Sequence, residues 1–285
     1  MTIPIQYALR RRMMMAALGS GIDVSALSIT YTGAYTDYGM VTMSDGARYR
    51  LLAFTSSGTL SIEQPVNCEV CVVGGGANGQ QEGANPWNTQ YAGGAGAYMK
   101  NQVIEAFDGG PIVVGAAQGA SSIGGVSVAV VSSQNGGTGG GGHGYYGITA
   151  GGTGDGLSKY PFGDRNYDLW AGKPHCAGGG GGGYFHPSNG EYKGGNGGTN
   201  GSNGSNGTAA SAGEDASPGT GGAYGGGNGG DARYDSWASG ENATYYGSGG
   251  GSKGYSNGFY SGATYGSGYQ GIVYVRIPLE QEKAA

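Results

Sequence analysis

Histidine and cysteine are the residue types with which this chain could run nucleophilic or metal chemistry, and it has three of each. Cys68 and Cys71, in CEVCVV, have the C-x-x-C spacing of zinc and disulfide-exchange motifs. Their neighbours are β-branched, however, and residues three apart on a strand point to opposite faces. The pair therefore reads as two unpaired thiols in a strand, suited to folding in a reducing cytoplasm. His175, Cys176 and His186 fall close together, but in no standard zinc spacing, and His143 stands in no nucleophile pattern. Glu214 and Asp215 lie in a polar stretch that reads as a solvated loop. No Walker-type GK[ST] occurs, and G-x-G-x-x-G carries no information in a chain this rich in glycine. GGNGGDARY (226–234) approximates a calcium-binding nonapeptide, with Arg233 where a large apolar residue belongs. GGTGDGLSK (151–159) misplaces its Asp, and such rolls need tandem copies. The expectation is a non-enzymatic protein with no cofactor and no metal, a calcium-binding β-roll being a minor alternative.

Contact chemistry is better represented. Trp87, Tyr91, Tyr160, Trp170, His186, Tyr192, Tyr234, Trp237 and Tyr245 sit among Asn, Asp, Arg and Gln in segments between glycine runs. Rigid aromatics beside adaptable polar groups give contact area at low entropy cost, and sugar rings suit that mix. These nine residues are the candidate receptor-binding set. The competing reading is that the same rings cap the glycine segments as small local cores.

Those loops must be held by something, and glycine dominates what lies between them. Of 285 residues 68 are glycine; six lie in residues 1–73 and none in 272–285. Three regions follow: a conventional head, a glycine-rich body over 74–271, and a conventional end. Each ordered glycine costs roughly 0.5–1 kcal/mol relative to alanine in regular structure. An ordered body therefore needs compensating hydrogen bonds. Polyglycine helices of the polyproline-II type, three residues per turn, supply them when packed side by side, because every N–H is free to bond a neighbour. Collagen is excluded by the lack of a strict Gly-X-Y period. Disorder is disfavoured by 22 Tyr, 5 Phe and 3 Trp. A formal charge of −5 without a basic block argues against nucleic-acid binding, and no apolar run is long enough to span a membrane. The Asn-x-Ser/Thr sequons starting at Asn200, Asn203, Asn206 and Asn242 are expected from composition alone.

The fold class expected is mainly β. ALSITYT, ARYRLLAFT, GTLSIE and VNCEVCVV read as strands of a sandwich-like head over 21–73, with Val66, Cys68, Val70 and Val72 on one face. MKNQVIE, PIVVG and VSVAVVS add strands inside the body. GIVYVRIP closes the fold, with Ile272, Tyr274 and Arg276 alternating against Val273, Val275 and Ile277. Residues 1–20 read as one short helix whose apolar side, Ile5, Leu9 and Met13, docks on a neighbouring chain. A frayed terminus is the alternative. The six-residue MMMAAL is short for a signal-peptide core.

FTSSGTLSIEQPVNCEVCVVGGGANG (54–79) resembles the glycine-rich domain of bacteriophage tail proteins. GGAGAYMKNQVIEAFDGGPIVVGAA, GGVSVAVVSSQNGGTGGGGHG and SGYQGIVYVRI continue the likeness in order, over residues 54–277. The body is also similar in style to the tip adhesins of T-even-like tail fibres, though this chain carries its own N-terminal β region. The resemblance implies a virion tail protein made in the host cytoplasm. It implies a homo-oligomer, commonly a trimer in phage fibres, with other tail proteins and a bacterial surface glycan or protein as partners. A decoration or spacer protein of the virion, or a bacterial surface protein without a specific ligand, is the alternative.

Overall fold

The computed structural model describes residues 22–82, 90–131, 143–144, 160–171, 173–178, 184–186, 190–192, 225–227, 229, 238–253, 255–256 and 262–281. Ile5, Leu9 and Met13 of the expected docking helix lie outside these residues. In chain order the strands begin with β1 (Ile22–Asp23), β2 (Ile29–Tyr31), β3 (Tyr35–Thr42), β4 (Arg48–Phe54) and β5 (Gly58–Val73). They continue with β6 (Gln80–Glu82), β7 (Gln90–Ala92), β8 (Met99–Val113), β9 (Ser121–Ile123), β10 (Val126–Val128) and β11 (His143–Gly144). The last five are β12 (Tyr184–His186), β13 (Gly190–Tyr192), β14 (Tyr255–Ser256), β15 (Ile272–Pro278) and β16 (Glu280–Gln281). Among the described residues the one helical element is a 3₁₀ turn at Pro161–Gly163. No helix there is long and apolar enough to cross a membrane.

Eight strands form one antiparallel sheet in the order β10-β9-β8-β5-β15-β4-β3, with β2 also paired on β5. GTLSIE and VNCEVCVV are a single strand. Its register against β8 shifts between Ser61 and Val66 and again before Cys68, around Pro65, which cannot donate to a ladder. The closing strand β15 lies between β4 and β5, pairing Val275 with Leu52 on one side and Val70 on the other. The sheet thus joins strands from the head, the body and the end of the chain.

Alternation along the strands builds a core on each face. Val66, Cys68, Val70 and Val72 of β5 meet Leu52, Phe54, Val273, Val275 and Ile277 in the first. Tyr49, Leu51, Ala53, Cys71, Val73, Ile272 and Tyr274 line the second. Cys68 and Cys71 are therefore on opposite faces, both free, and burial pushes each thiol up to about 12. Nothing in this geometry brings the pair together. Arg276 also points to the second face, where its guanidinium meets the Glu69 carboxylate of the register partner at 2.6 Å. The Tyr49 and Phe162 ring centroids lie 4.4 Å and 4.3 Å from the Arg276 Cζ. Paired and stacked in this way, the charge is tolerated in the interior.

At the end of the sheet where β5 stops and β8 and β15 begin, the chain runs into glycine segments that belong to no strand. Their backbone hydrogen bonds recur every three residues. Gly74 and Ala77 donate to Tyr98 and Ala95, Gly76 and Gly79 to Tyr269 and Gly266, and Gly94 and Ala97 to Gly250 and Gly247. Gly266 and Tyr269 donate in turn to Gly251 and Ser248, and Gly240 and Ala243 to Thr264 and Ser267. Residues in between point elsewhere: Gly75 bonds Gly119, Gly249 bonds Ala177 and Gly251 bonds Glu241. A strand ladder would alternate with a period of two and an α-helix would bond within itself. These segments bond outward, to several neighbours in turn.

Close approach is what glycine supplies here. A Cβ built on Gly76 would overlap the Ser248 carbonyl, and one on Gly249 the Gly94 carbonyl. Gly262, by contrast, has open space around it. Gly76→Ala is expected to cost at least about 3 kcal/mol, because rigid backbone must move. Gly262→Ala should be near neutral. Thermal unfolding checks both: a midpoint lower by roughly 6 °C or more for the first is expected, and little change for the second.

Candidate functional site

Residues 160–171 and 173–178 cover the second core. Tyr160, Phe162, Tyr167 and Leu169 pack against it and Trp170 lies within it, fully buried. The segment is tied down at both ends of its turn. Asp164 accepts from the Ser44 N–H at 2.9 Å and from the Ser44 hydroxyl, and Phe162 donates its N–H to Asn101 Oδ1 at 3.1 Å. The Trp170 indole N–H bonds the Asp164 carbonyl at 2.5 Å. Phe162 holds φ +58°, an uncommon conformation for a bulky side chain, which places its ring over Arg276.

Rings then run in contact from this core toward the surface. Tyr167 and Trp170 meet edge to face with centroids 4.8 Å apart, and Trp170 meets Tyr274 at 5.4 Å. His175 sits against Tyr274, Tyr245 and Tyr246 at 5.7, 4.9 and 6.1 Å. Tyr246 continues to Tyr269 at 5.6 Å. The outer members are Tyr38 and Tyr269, 41% and 36% exposed, with Tyr167, Tyr245 and Tyr246 half-buried behind them. Tyr38 is close enough to act electrostatically on Tyr167, Tyr245, Tyr246 and Tyr274.

Local structure explains how these side chains converge. The register of β3 on β4 shifts between Asp37 and Met40, with Gly39 at φ +66°, and Tyr38 sits in that bulge. Asp37 is anchored by the Arg50 guanidinium at 2.7 Å. Tyr245 and Tyr246 occupy a tight turn closed by the Ser248 N–H on the Tyr245 carbonyl, 3.0 Å. Gly247, at φ +70°, takes the third position that a type II turn reserves for glycine. Any Cβ there would press on Val73, Cys176 and Ala97 at 2.8–3.2 Å. Tyr269 lies on a glycine segment, its N–H bonded to Ser248. The shelf is thus carried jointly by the sheet and the glycine segments.

His175 is the titratable group beneath this surface. Its Nε2 lies 3.1 Å from the Tyr274 hydroxyl, and among the described residues its Nδ1 finds no hydrogen-bond partner. Complete burial lowers its pKa from 6.5 to about 3, so the ring is neutral at ordinary pH. Burial likewise pushes the Tyr245 hydroxyl up to about 12 and that of Tyr274 well above its usual value. Among the described residues no three His, Cys, Asp or Glu side chains gather as a metal site would require.

The sequence-predicted contact residues divide into four groups. Trp170 is fully buried in the second core against Tyr274, which removes it from any contact surface. Tyr245 joins the outer shelf, and Tyr160 packs half-buried beside the core. Tyr91, His186 and Tyr192 lie on short strands: β7 pairs β6 and β11, and β12 pairs β13 and β14. Trp87, Tyr234 and Trp237 lie outside the described residues. Tyr38, Tyr167, Tyr246 and Tyr269 are members of the shelf that sequence reasoning missed. The only signal for the first was Asp-Tyr-Gly in a β-rich stretch, a turn cue. No family model, no curated protein and no solved structure matches this chain.

The buried histidine has a measurable consequence. Unfolded, His175 takes up a proton near pH 6.5; folded, it resists protonation until about pH 3. Its contribution to stability is therefore whole above pH 6.5 and falls as pH drops toward 3, by up to about 1.4 kcal/mol per pH unit. His175→Gln should flatten the stability-versus-pH curve over that window relative to the parent chain. Urea unfolding at a series of pH values tests this, and parallel curves would contradict it.

Proposed function

We propose that this chain is a non-enzymatic tail-fibre or tail-tip protein of a bacteriophage, binding a bacterial surface glycan through aromatic surfaces held on a polyglycine scaffold. The observation that carries the reading is the glycine body itself: segments bonded to several neighbours with a three-residue recurrence. That recurrence is the repeat of a polyproline-II-type helix. We read segments 74–79, 94–97, 247–251 and 266–271 as short helices of this kind packed into a block. The ordered motifs over residues 54–277 supply the phage context. In that context residues 1–20 dock the chain in a homo-oligomer, commonly a trimer for phage fibres, and other tail proteins are its partners on the virion.

The binding surface follows from the shelf. Tyrosine rings present apolar faces to the C–H side of a sugar ring and hydroxyls to its edge. Tyr245 and Tyr246 are backed by the His175 ring and Tyr269 by Tyr246, so little side-chain freedom remains to be lost on binding there, and Tyr38 is presented by the bulge that the Asp37–Arg50 pair holds. Trp87, Tyr91, His186, Tyr192, Tyr234 and Trp237 extend the candidate contacts in the stretches between glycine runs.

Binding of the purified full chain to a panel of gut and environmental bacteria tests the reading, with soluble surface polysaccharide as competitor. Tyr38→Ala, Tyr269→Ala, Trp87→Ala and Trp237→Ala are the informative variants. Loss of an anchoring ring at the contact should weaken adhesion by about tenfold or more while thermal unfolding stays unchanged. Trp170→Ala should instead destabilise the fold by about 3–5 kcal/mol. Adhesion unaltered in all four variants would favour a decoration or spacer role.

A further inference from the structure

The pair Asn78–Gly79 is the dipeptide most prone to cyclise, because glycine leaves its backbone nitrogen unshielded. In the reaction the Gly79 nitrogen attacks the Asn78 Cγ, the Cγ–Nδ2 bond breaks, and ammonia departs with the proton lost from Gly79. Water then opens the resulting succinimide at either carbonyl, giving aspartate or isoaspartate. The second product adds a methylene to the main chain. In segments that bond every three residues, that extra atom would put each later donor out of step.

All three groups the reaction must move are held. The Gly79 N–H is bonded to the Gly266 carbonyl at 2.9 Å. The Asn78 amide is fixed at both ends: Nδ2 donates to Gln118 Oε1 at 2.9 Å, and Oδ1 accepts the Gly268 N–H at 2.8 Å. Gln118 is itself held, its N–H on the Gly76 carbonyl at 2.9 Å. The Gly79 α-carbon is packed so tightly on the backbone of Gly251 that a Cβ would overlap its carbonyl. Attack would need the Asn78 side chain to release Gln118 and Gly268 and swing onto a nitrogen already engaged with Gly266.

From this geometry we propose that Asn78–Gly79 is a conformationally gated self-modification site, silent while the glycine segments are docked and reactive once they part. Its rate of conversion is set by the fraction of time this part of the protein is open. Conversion to isoaspartate is then a ratchet, because a chain that has opened and cyclised cannot regain the three-residue register. The site turns transient opening of the scaffold into a permanent covalent mark.

Peptide mapping by mass spectrometry, after extended incubation of the full chain at mildly alkaline pH, reads the mark directly. The native protein should deamidate at Asn78 about tenfold or more slowly than the same chain in urea. Gln118→Ala, which removes the partner of Nδ2 and leaves the backbone bonds, should raise the native rate severalfold while the protein still unfolds cooperatively. Equal rates in the native and urea-unfolded chain would overturn the gate. So would a Gln118→Ala protein that remains folded and deamidates no faster than the parent. Neither outcome depends on which surface, if any, the protein binds.

Discussion

Backbone amides without a partner of their own in a helix or ladder must find one elsewhere, and in this protein that requirement organises the whole molecule. Residues 74–79 bond to 95–98, 119 and 266–269; residues 94–97 bond to 247–250; and 249–251 bond to 77, 177 and 241. No segment is satisfied unless its neighbours are present. The close approach this demands excludes side chains at Gly75, Gly76, Gly94, Gly249 and Gly266, where a Cβ would overlap a carbonyl. Glycine is costly to order, so the bonds and the van der Waals contact of bare backbones must offset that cost together. Ala77, Ala95 and Ala97, all fully buried, mark positions where a methyl group fits.

The sheet supplies the rigid base from which those segments start. β5 and β15 pass directly into glycine at one end and β8 follows the GGAGAY stretch, so the register Val73–Ile272 and Val73–Met99 sets where three of the segments meet the sheet. Two cores grip β5 from opposite sides, and the Arg276–Glu69 pair sits on the second face between Tyr49 and Phe162. A buried ion pair is weak evidence for stability, since desolvation opposes the attraction. Its directional bonds do favour one register of β15 over a slipped one, in which Arg276 would face Cys68 or Val70.

The exposed rings and the buried ones form one continuous set of contacts. Trp170, Tyr274 and His175 are core residues by burial, yet Tyr245, Tyr246 and Tyr269 stack outward from them without a break. A surface built this way is stiff because its back is the interior of the protein. The neutrality of His175 keeps a charge out of that interior at ordinary pH.

What residue types alone determined was the class of structure. Alternation in VNCEVCVV and GIVYVRIP assigned the faces of β5 and β15 correctly, because a period of two leaves no other arrangement. The thiols of Cys68 and Cys71 were separated by the same rule. Less was legible where partners are distant in sequence. The merging of GTLSIE with VNCEVCVV across Pro65, the short strand β9 and the bulged β3 depend on what pairs beside them. Trp170 read as a contact residue because its neighbours are polar; Asp164, Ser44 and Asn101 instead pin its loop down over Tyr274. The tyrosine shelf unites residues 38, 167, 245, 246 and 269, which no local pattern connects. Only the docking of glycine segments against the sheet brings them together, since long-range contact is a property of the packed backbone.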